Sequence, residues 1–474
     1  MSVAAVDQGG APAEGVGLKR VLGTRDLVVF GVMMMFPLAP IAVYAAVSGS
    51  TAGHMAAAYI VAMVAMLFTA LSYGAMAGAF PKAGSTYTFT RNGLNQYLGL
   101  LSGWAIMLDY LLFPTLNFII IAAFAQQLAG TVGLFGGWDY WFWVIAAIVV
   151  VTIFNLVEVK WLARVSAFLI IICLIVIAWF VVASIGALNS GTGEATIIST
   201  KPFFGDGLTF DALLAGTAIA CFSYLGFDAI STLAEETHNP GRSVSLAMVT
   251  ALVIVTVLFI VQAYFAQLIY PDWAGLPQDG SAFSVIFAVA GGNVLSTVLS
   301  YAVIAAALAN AIDATGGASR LLFGMGRDGV IPKRIFGYLH PKTAAPVINV
   351  GIIGVLAIFA CTRDLNTILA MINFGALFAF TLVNLAVIGH FVIRGGRRSP
   401  KDLLRYLVAP GIGAFVILWL WTQLSSINWL FALQWPSDPA QLIPFAWLLI
   451  GIAYVVWTSR FFRLPLPELK ETHL

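Results

Sequence analysis

Hydrophobic residues run along this chain in blocks of bilayer length, separated by short connectors that carry the charges, glycines and prolines. The blocks lie near residues 26 to 50, 55 to 79, 97 to 129, 141 to 159, 162 to 187, 210 to 236, 244 to 270, 291 to 319, 346 to 361, 364 to 393, 407 to 425 and 441 to 460. A helix rises about 1.5 Å per residue, so roughly 20 apolar residues cross the hydrocarbon core of a bilayer. The pattern predicts an all-α polytopic membrane protein with twelve transmembrane helices.

Two blocks are interrupted. The first reads VVFGVMMMFPLAPIAVYAAV, in which Pro37 and Pro40 each remove a backbone donor and predict a break or kink. The sixth contains CFSYLGFDAISTLAEETHNP, where Gly226 interrupts the apolar run and Asp228, Glu235 and Glu236 follow it. A helix broken inside a bilayer exposes backbone groups that lipid cannot satisfy, so protein or a water-filled cavity must receive them. The interrupted spans open two consecutive five-span blocks, 26–187 and 210–393, and paired interruptions of this kind point to an inverted repeat with its site near the midplane. Residues 407–460 supply helices 11 and 12, which hold no acid or base in their apolar parts and suit a scaffold or an oligomer contact. Residues 1–25 read as a disordered cytoplasmic tail and 461–474 as a second cytoplasmic tail.

Composition narrows the picture. The chain is 61% hydrophobic and 9% charged, against roughly a quarter charged in soluble domains, which excludes a soluble enzyme. With both termini inside, 21 of the 23 Lys and Arg residues fall in cytoplasmic segments and only Lys201 and Arg363 outside, as the positive-inside rule requires. The basic stretches between Arg320 and Pro346 and at 394 to 405 read as topogenic charge near anionic lipid rather than as nucleic-acid patches. The outer segments hold Asp139, Glu194, Asp206, Asp211, Asp272, Asp279, Asp364 and Asp438, a negative vestibule that would concentrate cations. Cys173, Cys221 and Cys361 have no metal-like spacing, and neither a disulfide framework, a metal site nor a cofactor is suggested. No nucleophile, metal or phosphate-loop constellation suggests an enzyme.

The candidate chemistry consists of carboxylates inside the spans, each a functional hypothesis by default. Asp109 and Tyr110 lie in GWAIMLDYLLFPTLN, and Asp313 in ANAIDATGGASRLLFGMGRDG at the equivalent span of the second block. For both acids a structural, hydrogen-bonded role stands beside the functional one. Asp228, Thr232 and Glu235 share one face of a regular α-helix after Gly226. Asp228 and Glu235 are then roughly 10 Å apart along the axis. Either a long ligand bridges them, or Glu235 belongs to an inner gate while Asp109 or Asp228 holds the charged group of the ligand. Phe222, Tyr110 and Phe36 are placed for cation–π contact or for plain packing. Glu235 and Glu236 sit at a helix C-terminus, where negative charge is disfavoured. They are expected to pair with His238 and Arg242 as a latch.

Several stretches carry a family resemblance: AMAGAFPKAGSTYTFT (75 to 90), GWAIMLDYLLFPTLN (103 to 117), CFSYLGFDAISTLAEET (221 to 237), SRLLFGMGRDGVIPKRIFGYLHPK (319 to 342) and INFGALFAFTLVNLAV (372 to 387). The chain resembles the amino acid, polyamine and organocation superfamily, most nearly its bacterial putrescine importers. The resemblance implies a LeuT-like five-plus-five inverted repeat with broken helices 1 and 6, and a site walled by helices 3, 8 and 10. It assigns Phe222 as the aromatic above the site, Asp228 as the acid after the break, Glu235 as the acid of an S-E-E-T-like run and Tyr110 as the aromatic of an L-D-Y element. Asp313 departs from it, since the importers carry a small residue there. Amino acid permeases of the superfamily usually have a Gly/Ser-rich unwound segment in span 1, whose amides receive a carboxylate. MMMFPLAP offers no such nest and suits a cation lacking a carboxylate.

The expected function is secondary active import of a putrescine-like polyamine or related organic cation across the bacterial inner membrane. An amino acid permease or amino acid/amine exchanger is the alternative. Proton coupling, with Asp313, Asp228 or Asp109 as carrier and Asp313 and Glu236 as coupling or gating residues, stands ahead of exchange and of sodium symport. The expected partners are the cationic substrate, the proton and the lipid bilayer, with no nucleic acid, in a monomer or homodimer.

Overall fold

The computed structural model describes residues 22–81, 85–132, 139–156, 162–277, 280–327, 331–341, 345–433, 435–436 and 438–460. The Glu235 side chain and nearly all of both tails expected from the sequence lie outside the described residues. The helices, in order, are α1 (Thr24–Met34), α2 (Ala39–Ser50), α3 (Met55–Ala79), α4 (Ser85–Gly93), α5 (Gln96–Val132), α6 (Tyr140–Leu156), α7 (Leu162–Asn189), α8 (Phe210–Ala220) and α9 (Pro240–Ile269). There follow α10 (Ala282–Arg327), α11 (Lys333–Phe336), α12 (Val347–Ala360), α13 (Leu365–Val387), α14 (Pro400–Leu403), α15 (Ala409–Thr422), α16 (Ser425–Phe431) and α17 (Ile443–Thr458). Among the described residues nine helical spans are long and apolar enough to cross a membrane, and ten if α1 and α2, bent by 54° at their junction, count as one. The shorter apolar helices α6 and α12 occupy the positions of the fourth and ninth hydrophobic blocks.

Two boundaries differ from the sequence reading. The eighth block begins earlier, at Ala282, and turns at Gly291 and Gly292, where Gly292 adopts φ 72°. The added turns bury Phe283, Ile286 and Phe287 in the protein. A helix end that faces protein rather than lipid can be short, so a bilayer-length window passes over it. The connector after α3, read as a loop, contains the helix α4, with Thr86, Phe89 and Thr90 buried.

The core is organised by helices packed along their lengths: α3 on α9, α5 on α10 and α13, and α13 on α15. Small residues allow the closest of these approaches. A Cβ on Gly78 of α3 would lie 2.9 Å from the Gly241 Cα of α9, and one on Gly375 of α13 would lie 2.2 Å from the Ala105 carbonyl of α5. Polar side chains then fix the register. Asn384 of α13 accepts from the Ser72 hydroxyl at 2.6 Å and donates to Thr69 and to the Phe380 carbonyl, which satisfies a buried amide between α3 and α13. The α5–α17 contact is a reciprocal pair, in which the Trp104 and Trp447 indoles each donate to the other's carbonyl at 2.9 Å with their rings stacked at 4.7 Å. This places the last helix on the scaffold side of α5.

Candidate substrate site at two helix breaks

The first span stops at Met34 and resumes at Ala39. Pro37 lies in the gap, whereas Pro40 opens the second half-helix, where its missing N–H costs nothing. Phe36 takes φ 50°, a left-handed conformation rare for a residue with a side chain. In the sixth span α8 ends at Ala220, a 3-10 turn covers Cys221–Tyr224, Leu225 is extended and Gly226 is left-handed at φ 104°. The breaks meet: a Cβ on Gly226 would lie 2.8 Å from the Met34 carbonyl oxygen. The carbonyls exposed by each break are received by an amide from a neighbouring helix. Gln262 of α9 donates to the Pro37 carbonyl at 2.9 Å. Asn373 of α13 donates to the Ala218 and Ile219 carbonyls at 3.1 and 3.3 Å. This is the compensation that an apolar surround demands. The Tyr59 hydroxyl bonds Ser223, and Tyr224 donates to the Tyr59 carbonyl, tying the sixth-span turn to α3.

The sequence-predicted residues separate into three groups. Phe36 and Phe222 line a cavity of about 20 Å3 at the breaks together with Met34, Phe113, Asn117 and Asn310. Phe222 stacks on Phe113 at 5.5 Å. This cavity has room for about one water, so the walls must part before a substrate enters. Asp313 is exposed and lines a second cavity of about 50 Å3 on the far side of the first break, which shares Met34, Phe36 and Asn310 with the first. The eighth-span acid thus lines a cavity other than the one that Phe222 lines.

The third group holds the chemistry. Asp228 is 6% exposed, and its carboxylate lies against the backbone N–H groups of Gly226, Asp228 and Ala229. Asp109 of α5, one turn before Phe113, is close enough to interact electrostatically with Asp228, and Tyr110 faces both. The Asp109 Oδ1 is buried with no hydrogen-bond partner. Tyr73, bonded to Thr86 at 2.6 Å, and Ser231, bonded to Ser85 at 3.3 Å, complete the cluster. No cationic side chain pairs with either aspartate among the described residues. Two neighbouring carboxylates with no counter-ion among the described residues, Asp228 buried and Asp109 half-buried, could receive a cation.

The segment after Gly226 corrects the expected face. Phe227–Glu236 is a 3-10 helix, with about 3.0 residues per turn and a rise near 2.0 Å. Asp228 therefore shares its face with Ser231 and Ala234, while Thr232 and position 235 turn about 120° away. The Thr232 hydroxyl donates to its own segment, at the Ala229 carbonyl. The Asp228–Glu235 spacing along the axis becomes about 14 Å, against roughly 10 Å for a regular α-helix. Of the expected ionic latch, neither His238 nor Arg242 pairs with Glu236 among the described residues, and the Glu235 side chain lies outside them. The Leu22 N–H instead donates to the Glu236 carbonyl at 3.0 Å, and the His238 N–H donates to the Leu22 carbonyl at 3.3 Å.

The residues missed in the sequence are Tyr73, Ser85, Thr86, Asn117, Ser231, Gln262, Asn310 and Asn373. Amides inside otherwise apolar blocks are a usable signal, since each needs a partner there. The α4 hydroxyls carried none while that segment read as a connector.

The sequence profile of the amino acid permease family matches residues 24–457, nearly the whole membrane domain. The chain belongs to this family. The permease is 34% identical over 458 residues to the low-affinity putrescine importer PlaP of Escherichia coli K12, covering 96% of this chain and 97% of the importer. It is 26% identical to the branched-chain amino acid permease BcaP of Bacillus subtilis, covering 94% of each chain, and 27% identical to the methylthioribose transporter of the same organism, covering 90% of this chain and 93% of that one. The permease is thus a transporter rather than an enzyme, and a multi-pass membrane protein.

Proposed function

We propose that the permease imports putrescine or a closely related polyamine by alternating access, coupled to protons. The observation that carries this reading is the Asp109–Asp228 pair, set beside the crossing of two broken helices with no basic side chain against it among the described residues. A protonated amine offers three donors and a full charge to such a pair. Tyr110 and Phe222 provide ring faces nearby, and the likeness to a putrescine importer over almost the full length points the same way. In this reading α6 and α12 also cross the bilayer, which gives twelve spans in a LeuT-like arrangement of repeats 26–187 and 210–393, both termini cytoplasmic. Glu235 and Glu236 lie on the inner path, and Asp313, across the first break, carries the proton.

Substrate charge tests the polyamine reading directly. Ornithine, which is putrescine with an added α-carboxylate, is expected to bind at least tenfold more weakly than putrescine. The break in span 1 presents Phe36 and Pro37 rather than a row of glycine amides, and the added carboxylate would face Asp109 and Asp228. An unpaired polar group costs about 1–3 kcal/mol on burial and a charged one more, and about 1.4 kcal/mol is tenfold in affinity. Competition binding on purified protein measures the ratio. Equal displacement of labelled putrescine by ornithine or arginine would transfer the assignment to amino acid permease.

Coupling is read in proteoliposomes. Moving one charge through 100 mV is worth about 2.3 kcal/mol, so a diamine accumulates on the membrane potential alone. An inward proton gradient imposed at zero potential is expected to drive further accumulation in wild type and none in Asp313→Asn. Accumulation that ignores the proton gradient in wild type would make the permease a uniporter or exchanger.

A further inference from the structure

A wide, open cavity in the permease lies away from the substrate site. It is a groove of about 900 Å3 at one end of the bundle, between α3, the start of α9 and the connector that joins α13 to α15. Its floor is backbone, because Gly74 and Gly78 of α3 sit directly on Ser245 and Gly241 of α9. Its lining carries Arg242, His390, Arg397 and Arg405 and no acid. Arg397 lies over the stacked Phe391 and Tyr406 rings at 5.3 and 5.5 Å, and Arg405 lies over Tyr406 at 5.3 Å. Two guanidinium groups are thus held on one aromatic pair, with Arg242 across the groove.

No carboxylate among the described lining residues balances this concentration of like charge. Arg242 sits in the first turn of a 30-residue helix, whose positive end disfavours a cation. None of the three arginines pairs with a carboxylate among the described residues. The groove also opens sideways onto two apolar stripes. Ile60, Val64 and Leu71 are exposed along α3, and Leu246, Val253 and Val257 along α9. The spacings, i, i+4, i+11 and i, i+7, i+11, keep each stripe on one helix face. A basic head region continuous with two exposed apolar rails matches an amphiphile whose phosphate is anionic.

We propose that this groove binds the headgroup of an anionic phospholipid of the cytoplasmic leaflet, with its acyl chains along the α3 and α9 stripes. The leaflet rests on the orientation in the proposed function; the binding chemistry does not. Basic pockets between helices at this depth suit anionic headgroups, and the bidentate fork of arginine suits phosphate. Such a lipid would bridge the α3–α9 pair, which packs on both broken spans, to the connector beyond α13.

Native mass spectrometry of the full chain, titrated with phosphatidylglycerol or phosphatidylcholine in the absence of any amine, reads binding separately from transport. Wild type is expected to retain phosphatidylglycerol at least tenfold more tightly than phosphatidylcholine. The triple variant Arg242→Gln, Arg397→Gln, Arg405→Gln is expected to lose that preference, and the double variant Lys333→Gln, Arg334→Gln to keep it. Single Arg242→Gln and Arg405→Gln variants, on opposite walls, should each weaken retention about threefold and give the same reading if the triple variant does not fold. Equal retention of the two lipids, equal loss in the Lys333/Arg334 control, or full displacement of the lipid by millimolar inorganic phosphate would overturn the proposal. Failure of putrescine to bind the permease leaves these measurements untouched.

Discussion

Asp228→Asn is expected to lower the efficiency of putrescine uptake by about 100-fold or more while the protein still reaches the membrane. The substitution keeps the shape of the side chain and removes the charge that a buried amine requires. Truncating one partner of a buried, hydrogen-bonded charge pair costs about 2–5 kcal/mol, and each 1.4 kcal/mol is a factor of about ten. The 6% exposure of Asp228 leaves little water to compensate. Glu236→Gln is the milder comparison: its side chain makes no ion pair among the described residues, and its uptake should fall far less than that of Asp228→Asn. Uptake at equal surface expression decides the matter. An Asp228→Asn protein with normal kinetics would remove the Asp109–Asp228 pair from the substrate path.

Gly226→Ala is expected to abolish transport and to lower the thermal unfolding midpoint in detergent by several degrees. Two costs add. A left-handed conformation costs a residue with a Cβ about 1–2 kcal/mol, and Gly226 has φ 104°. The new Cβ would also sit 2.8 Å from the Met34 carbonyl oxygen. That oxygen is backbone, so no rotamer change relieves the contact, and separating the two breaks reshapes the cavity that Phe36 and Phe222 line. Gly317→Ala on α10 meets nothing within 4 Å and should leave both measurements near wild type. Transport at wild-type rate by Gly226→Ala would show that the contact between the breaks is incidental.

The sequence carried the spans well because hydrocarbon imposes one rule on every residue within it, so α3, α5, α9 and α13 appear as unbroken apolar blocks. It carried both interruptions for the same reason, since Pro37 and Gly226 are conspicuous against such a background. The local geometry after Gly226 was less legible. Ile230 of that segment packs against Gly31, a contact between residues 199 positions apart that lies beyond any local pattern. The 3-10 winding there turns Thr232 and position 235 off the Asp228 face. Asp109 was recognisable as an acid inside a span, but its proximity to Asp228 depends on how α5 lies across the broken sixth span, which no local pattern encodes. Likewise Gln262 and Asn373 read as isolated polar residues until the breaks they serve are seen beside them.

The main-chain pairing of Leu22 with Glu236 and His238 ties together the ends of the two half-helices that lie away from the breaks. The bonds are built from peptide groups, so their strength does not change with ionic strength or with the protonation of any side chain. This tie is therefore insulated from the chemistry of the surrounding solution, and it is held by the backbone rather than by the identity of the side chains around it.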